Sequence, residues 1–365
     1  MSEPASPTVP PPASYPVYPT NPPSEGRPVS FYLAIFLAML LVLSVGLNLV
    51  LLVVGVVRSA AGSFGVSDVS DSNFELVAVG GDNEARDRIL RVPIDGAIAE
   101  ASTPVIGAPG GTVTQVERAL RLAKRDDSIK GVLLFVNSPG GGVTDSDLIY
   151  RKLRAFRTET DKPVVALFGD MAASGGYYIA CACEHIMAQG TTITGSIGVI
   201  LSQYNVAEAA AKLGVKSVDI VSARTPYKAM LSPTKPVDEK EVAMARAIVD
   251  EMYDRFVDVV VEGRPELDRA RIVALADGRI YSAQQARQAG LIDGVGTEHD
   301  AIELLKARAK LGTAKVVEQR RRIGFFDVLT GAHQSVPPPS LEHALATFLT
   351  KTTGPRLLYF WPGGR

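Results

Sequence analysis

An α/β domain carried behind one apolar helix is the architecture this sequence predicts, and three observations carry that reading. Residues 31–57, FYLAIFLAMLLVLSVGLNLVLLVVGVV, run without a charged side chain. From about residue 88 short apolar runs alternate with segments of helical periodicity. Two of those runs, GVLLFVNS (131–138) and PVVALFG (163–169), are continuously apolar, as strands covered on both faces are. Strand–helix–strand repetition at this spacing implies right-handed crossovers and a layered sheet.

Residues 1–30, with PTVPPPASYPVYPTNPP, cannot bury a core and are expected to form an extended tail. The 31–57 segment, flanked by Arg27 and Arg58, reaches about 40 Å as a helix at 1.5 Å per residue, enough to cross a hydrocarbon layer of about 30 Å. A cleaved leader fits it poorly, because the apolar run is long and follows a Pro-rich rather than a short basic lead. One arginine on each side leaves the orientation open. Residues 58–87, opening on small side chains (SAAGSFGVSDVSDSN), read as a linker to a domain spanning 88–312.

Within that domain ILRVPIDGAI (89–98) reads as a strand and VTQVERALRLAKRD (113–126) as an amphipathic helix. GVTDSDLIYRKLRAF (142–156) is a second helix between the two apolar strands. Residues 238–263 place Val242, Ala245, Val249, Met252, Phe256 and Val259 on one stripe of a long helix. That helix starts with Asp238 and Glu241 at capping-box spacing. Residues 313–365 form a C-terminal extension with a basic cluster (Arg320–Arg322), a proline run and the apolar end RLLYFWPGG.

Composition excludes several classes. With 38 basic and 39 acidic side chains the chain has no basis for binding nucleic acid through bulk charge. Cys181 and Cys183, one residue apart, suit neither a disulfide nor a zinc site and read as small buried side chains. The four histidines show no ligand spacing.

Three segments can carry chemistry. NSPGGG (137–142) follows an apolar strand, where glycines let backbone N–H groups approach a ligand; Gly141 there is either an anion or oxyanion donor or part of an ordinary turn. DMAASGGYYIACA (170–182) puts Ser174 at a strand-to-helix turn, as a nucleophile or as a helix N-cap. The sequence is not GxSxG, and only His185 lies near as a histidine base, inside an apparent strand. Lys228, between Tyr227 and Ala229-Met230-Leu231, has the apolar neighbours that favour a deprotonated amine, whereas Lys235 does not; a loop lysine is otherwise solvated.

Together NSPGGGV, DMAASGGYYIA, TTITGSIGVI (191–200), YKAMLSP (227–233) and ADGRIYSAQQARQAGLIDGVG (276–296) resemble, in order and spacing, the signal peptide peptidase A family of membrane-bound serine proteases. The resemblance covers about residues 88–311. It implies the Clp protease/crotonase-like fold, a spiral of βαβ units. It also implies Ser174 as nucleophile, Lys228 as general base and Ser196 as the serine that orients the lysine. Backbone N–H groups of Gly141 and Gly175 would form the oxyanion hole, and no metal or cofactor is needed. Each motif occurs once, so the chain resembles the half-length form of the family. That form implies a homo-oligomeric ring, with serine and lysine supplied by adjacent protomers. The resemblance further implies a single-pass membrane anchor, an extracytoplasmic catalytic domain and peptide substrates such as cleaved signal peptides.

Two other readings share these residues. A crotonase-like acyl-CoA enzyme would use the GGG oxyanion donors but gives Ser174 and Lys228 no role. An inactive membrane scaffold would need neither. The aromatic C-terminal end is expected either to plug the apolar groove as a self-substrate or to touch a neighbouring subunit or the membrane; removal of 336–365 with no change in activity would count against the plug.

Overall fold

The computed structural model describes residues 29–63, 74–100, 110–322 and 356–361. The Pro-rich segment, and most of the C-terminal extension, lie outside these residues. The chain divides into two units, Met1–Asp71 and Ser72–Arg365. In the first, helix α1 (Val29–Ser63) extends beyond both ends of the uncharged run, and its segment Phe31–Leu49 has a mean hydropathy of 2.3 with all its side chains exposed. It is the one helix among the described residues that is long and apolar enough to cross a membrane.

The second unit opens with strands β1 (Phe74–Gly81) and β2 (Arg88–Asp95). Three crossovers follow: α2 (Thr112–Arg125) to β3 (Ile129–Ser138), α3 (Val143–Glu159) to β5 (Val164–Ala173), and α4 (Gly175–Ala180) to β6 (His185–Ala188). A short strand β4 (Gly140–Gly142) separates β3 from α3. Strands β7 (Ile193–Gly195) and β8 (Ile200–Ser202) precede helix α5 (Ala207–Lys212), an exposed loop and the long helix α6 (Glu239–Gly263). The chain continues as α7 (Arg269–Leu275), β9 (Ile280–Ser282), α8 (Ala283–Gln288), β10 (Gly294–Val295), α9 (Glu298–Arg308) and β11 (Lys315–Arg321), and ends, as described, in β12 (Arg356–Phe360).

Strands β11-β2-β3-β5-β6-β10 are parallel neighbours in the main sheet, β1 adds an antiparallel edge, and β7 and β9 branch from β5. The continuous apolar runs do what their composition dictates. Alternate residues Leu90, Val92, Val132, Leu134, Ala166 and Phe168 fill the large core under the crossover helices. The intervening Ile89, Leu133, Val165 and Leu167 pack on the other face, against Ala301 and Leu305 of α9.

Two segments behave differently from their sequence reading. The stretch read as linker contains β1, and the stretch read as extension contains β11; they pair with each other from Phe74↔Arg321 to Gly81↔Lys315. Neither reads as a strand locally, because β1 is an edge whose side chains are mostly exposed. At the start of α6, Asp238 caps the helix by accepting from the Lys240 and Glu241 N–H groups, but Glu241 does not close a capping box. Its buried carboxylate instead accepts from the Leu231 N–H at 3.0 Å and from Lys235 Nζ at 2.6 Å, pinning the end of the preceding loop.

Candidate active site

Strand β5 forks. Val165–Phe168 pair with β6, and Met171–Ala173 pair with β7 instead. Buried hydroxyls hold the fork: Thr192 donates to the Gly169 carbonyl at 2.6 Å and Thr194 to the Ala172 carbonyl at 2.7 Å. The fork delivers Ser174 to the start of α4 with φ of 53°. That is the left-handed region, which costs a non-glycine residue about 1–3 kcal/mol and persists only where surroundings impose it.

Ser174 occupies the N-cap position of α4, yet its side chain makes no capping bond. Its Oγ is buried and has no hydrogen-bond partner among the described residues. A capping serine would have satisfied that oxygen. A buried hydroxyl without a partner on a strained turn is an exception that calls for an explanation other than capping. Ser196 stands just beyond β7, also with positive φ (49°) and buried, its N–H bonded to the Arg279 carbonyl at 2.7 Å.

The glycines form the facing wall. Gly140, Gly141 and Gly142 are a strand, β4, rather than a turn, tied to Ile98 by Ile98 N–H to Gly140 O (2.8 Å) and Gly142 N–H to Ile98 O (2.9 Å). Strand β12 lies antiparallel between β4 and β8, with Tyr359 opposite Gly141 and Leu358 opposite Ile200. The Trp361 N–H donates to the Pro139 carbonyl at 2.8 Å. Hydrogen-bonded pairs recur every second residue in an antiparallel ladder, so Tyr359 and Gly141 are also such a pair, and the Gly141 N–H faces the Tyr359 carbonyl. A Cβ on Gly140 would collide with that carbonyl oxygen, and one on Gly175 would stand 3.1 Å from it. The carbonyl of Tyr359 therefore sits where Gly141, Gly175 and the Ser174 turn converge.

The Tyr359 side chain is fully buried. Its ring stacks on Tyr178 (4.9 Å, 25°) and leans on Phe256 (4.7 Å, 53°), and its hydroxyl donates to the Met252 carbonyl at 2.9 Å. Tyr178 donates to Asp147 Oδ1 at 2.7 Å, and Arg255 and Arg151 complete that carboxylate's shell. Burial alone would raise the Asp147 carboxyl, but the bonds from Tyr178, Arg255 and Arg151 outweigh it and hold it below the ordinary range. Two clefts flank β12, one of about 530 Å³ beside Ile98, Met252 and Leu358, the other of about 560 Å³ beside Ser196, Tyr253 and Trp361.

Ser174, Gly175, Gly141 and Ser196 thus come together, and Lys228 does not join them. It lies in a 3₁₀ turn, Pro226–Ala229, with its side chain exposed, and Ser174 Oγ has no partner among the described residues. Lys235 is engaged by Glu241. His185 is directed at Asp293, 3.8 Å away. The cysteines are buried and free, and burial pushes both thiols up to about 12. Among the described residues no cluster of His, Cys, Asp or Glu could hold a metal ion. Sequence reasoning missed Tyr178, Asp147, Met252 and Phe256 as a pocket; the RLLYF end was the signal for it.

Residues 157–312 match the family model for peptidase family S49, and residues 108–195 match that for Clp protease. The Enterococcus faecium protein described as a signal peptide peptidase SppA is 33% identical over 308 residues, 82% of this chain and 87% of that one. The chloroplastic serine protease SPPA of Arabidopsis thaliana is 31% identical over 69% of this chain, which spans 37% of it. Protease 4 of Haemophilus influenzae is 32% identical over 59% of this chain, which spans 34% of it.

Proposed function

The chain belongs to the signal peptide peptidase SppA family, peptidase family S49, and on that footing we propose that it cuts extended peptides with Ser174 as nucleophile and Lys228 of an adjacent copy as base. The observation that carries this reading is the Tyr359 carbonyl, held opposite the Gly141 N–H and against Gly175 at the mouth of the Ser174 turn. That is the placement a scissile carbonyl needs. The reaction follows from the groups present. Ser174 Oγ attacks the carbonyl carbon while its proton passes to Lys228 Nζ, and the oxyanion is held by the Gly141 and Gly175 N–H groups. The tetrahedral species expels the amine, which takes the proton from lysine, and water then hydrolyses the ester. Ser196 orients the lysine.

The partner copy is supported by the loop that carries Lys228. Around it Leu213, Val218, Ile220 and Val237 are exposed, Ile220 to 95%. An apolar loop of this extent seeks cover, and a second subunit supplies it. Docking there takes the lysine out of water, the condition under which an amine serves as base. A closed ring satisfies every such loop. The apolar helix α1 fits a single anchor, with the catalytic unit outside the cytoplasm and membrane-associated peptides, cleaved signal peptides among them, as substrates. The chain's own C-terminal strand fills the cleft as a substrate would, so it competes with them.

The test is complementation. Full-length Ser174→Ala and Lys228→Ala proteins, each expected to be inactive on an apolar fluorogenic peptide, are dissociated and reassembled together. Recovered hydrolysis establishes the dyad and its division between subunits. Activity surviving Lys228→Ala alone would remove lysine from the mechanism.

A further inference from the structure

Helix α1 carries an amide where a membrane anchor has little use for one. Ser44 is the middle residue of the uncharged run 31–57, and Asn48 lies one turn further on, about 6 Å along the axis. In a hydrocarbon layer of about 30 Å both stand well inside. Asn48 Nδ2 donates to the Ser44 carbonyl at 2.8 Å and approaches the Ser44 hydroxyl at 3.5 Å. Its Oδ1 accepts no bond, and the Ser44 O–H donates none, among the described residues. Lipid supplies no water to take up such groups, so each one left unmet costs free energy. Ala34, Leu37, Leu41, Ser44 and Asn48 recur at alternating intervals of three and four residues and share one narrow stripe of the helix. All five side chains are exposed. That spacing is the seam along which two helices pack side by side, and a single asparagine in such a seam fixes its register.

We infer that α1 packs along this stripe against α1 of a second copy, with the two Asn48 amides hydrogen-bonded to each other inside the membrane. The inference rests on the anchor reading above and adds a contact that the catalytic units do not make. Copies of one chain enter the membrane in the same direction, so their Asn48 residues lie at one depth. An amide is both donor and acceptor, and two of them at equal depth satisfy each other without a further group. Ser44 offers a hydroxyl one turn away. The leucines add little preference of their own, because lipid is as apolar as they are. The small Ala34 and Ser44 let the backbones approach, and the amide supplies the specific bond. One interhelical hydrogen bond in a membrane corresponds to about 3- to 30-fold in association. Paired anchors hold the catalytic units close together, which raises the concentration at which Lys228 of one copy meets Ser174 of another.

The experiment places the full-length chain in phosphatidylcholine vesicles that hold no other protein and measures oxidative cross-linking between copies. Leu41→Cys puts a thiol on the stripe, and Met39→Cys puts one at nearly the same depth on the opposite side of the helix. The native Cys181 and Cys183 are 1% and 4% exposed and stay out of the reaction. Retention of the chain after an alkaline carbonate wash reports anchoring separately. The Leu41→Cys chain is expected to cross-link at least about 3-fold faster than the Met39→Cys chain. Adding Asn48→Leu to Leu41→Cys, at a protein density where the parent is half cross-linked, should slow the reaction about 3- to 30-fold. Asn48→Gln, which keeps the amide, should restore part of it. Equal rates at the two positions, or a rate untouched by Asn48→Leu, overturns the inference while the anchor reading stands, and leaves the stripe to a different membrane partner. A chain that washes out of the vesicles removes the anchor reading and this pairing with it.

Discussion

The Ser174 N–H donates to the Gly195 carbonyl across 2.8 Å, joining the turn of one serine to the residue before the other. Ser174 and Ser196 are two of the four non-glycine residues with positive φ among those described. The bond ties the strained Ser174 turn to the residue before strained Ser196, so the two turns are coupled through the backbone.

Replacing Ser174 by alanine should therefore lower peptide hydrolysis by about 10³-fold or more while leaving the melting temperature unchanged, since its Oγ gives up no bond. Ser174→Gly should be equally inactive and more stable by about 1 kcal/mol, because glycine accepts φ of 53° without penalty. Thermal melts of both variants check this. A clear loss of stability in the alanine variant would give the hydroxyl a structural role.

Gly140→Ala should both inactivate the enzyme and release the C-terminal strand. Its Cβ would meet the Tyr359 carbonyl oxygen and stand 2.8 Å from the Gly175 nitrogen, and the native φ of 102° is closed to alanine. Hydrolysis is expected to fall about 100-fold or more, the size of losing an oxyanion donor. Limited proteolysis should cut near residues 356–361 faster than in the parent. Unchanged protection of that strand would mean that β12 is not seated on β4.

Acid stability should depend on Asp147. Its native carboxyl lies below the ordinary range, held there against burial by Tyr178, Arg255 and Arg151. A depressed native value contributes stability that is fully present above the unfolded carboxylate value of about 4 and is lost as pH falls through the native value. The parent should thus lose stability as pH falls below about 4 more steeply than Asp147→Asn, which keeps an acceptor for Tyr178 but no charge for the arginines. At pH 7 the variant should be less stable by about 1 kcal/mol. Urea denaturation at both ends of that range would reveal parallel curves if the carboxylate contributed nothing.

Much of the wall built by Ser174 and the glycines was legible because strand ends in a parallel sheet gather ligands. GVLLFVNS pointed to the glycines of β4 and PVVALFG to Ser174, and both apolar runs announced a sheet buried on two faces. What was not legible depends on residues distant in sequence. Strands β1 and β11 pair across most of the chain, and no local pattern in FELVAVGG betrays its partner. The tyrosine pocket takes Asp147 from α3, Tyr178 from α4 and Phe256 from α6, each of which reads singly as an ordinary helix residue. Glu241 sits at capping distance from Asp238 in sequence, yet the Lys235 ammonium and the Leu231 N–H draw its carboxylate to the loop. Lys228 lies exposed in its 3₁₀ turn, and its local sequence does not show what it meets.

Strand β12 is the middle member of its small sheet, so an occupant of the cleft is gripped along both of its edges. This is a conformational filter. A helical peptide has already spent its N–H and C=O groups on itself and would have to unwind before it could take the place of β12. Proline is barred wherever the cleft asks for an N–H, at the position of Tyr359 and again at that of Trp361, whose N–H reaches the Pro139 carbonyl. The chain's own prolines, Pro355 and Pro362, stand immediately outside that window on either side.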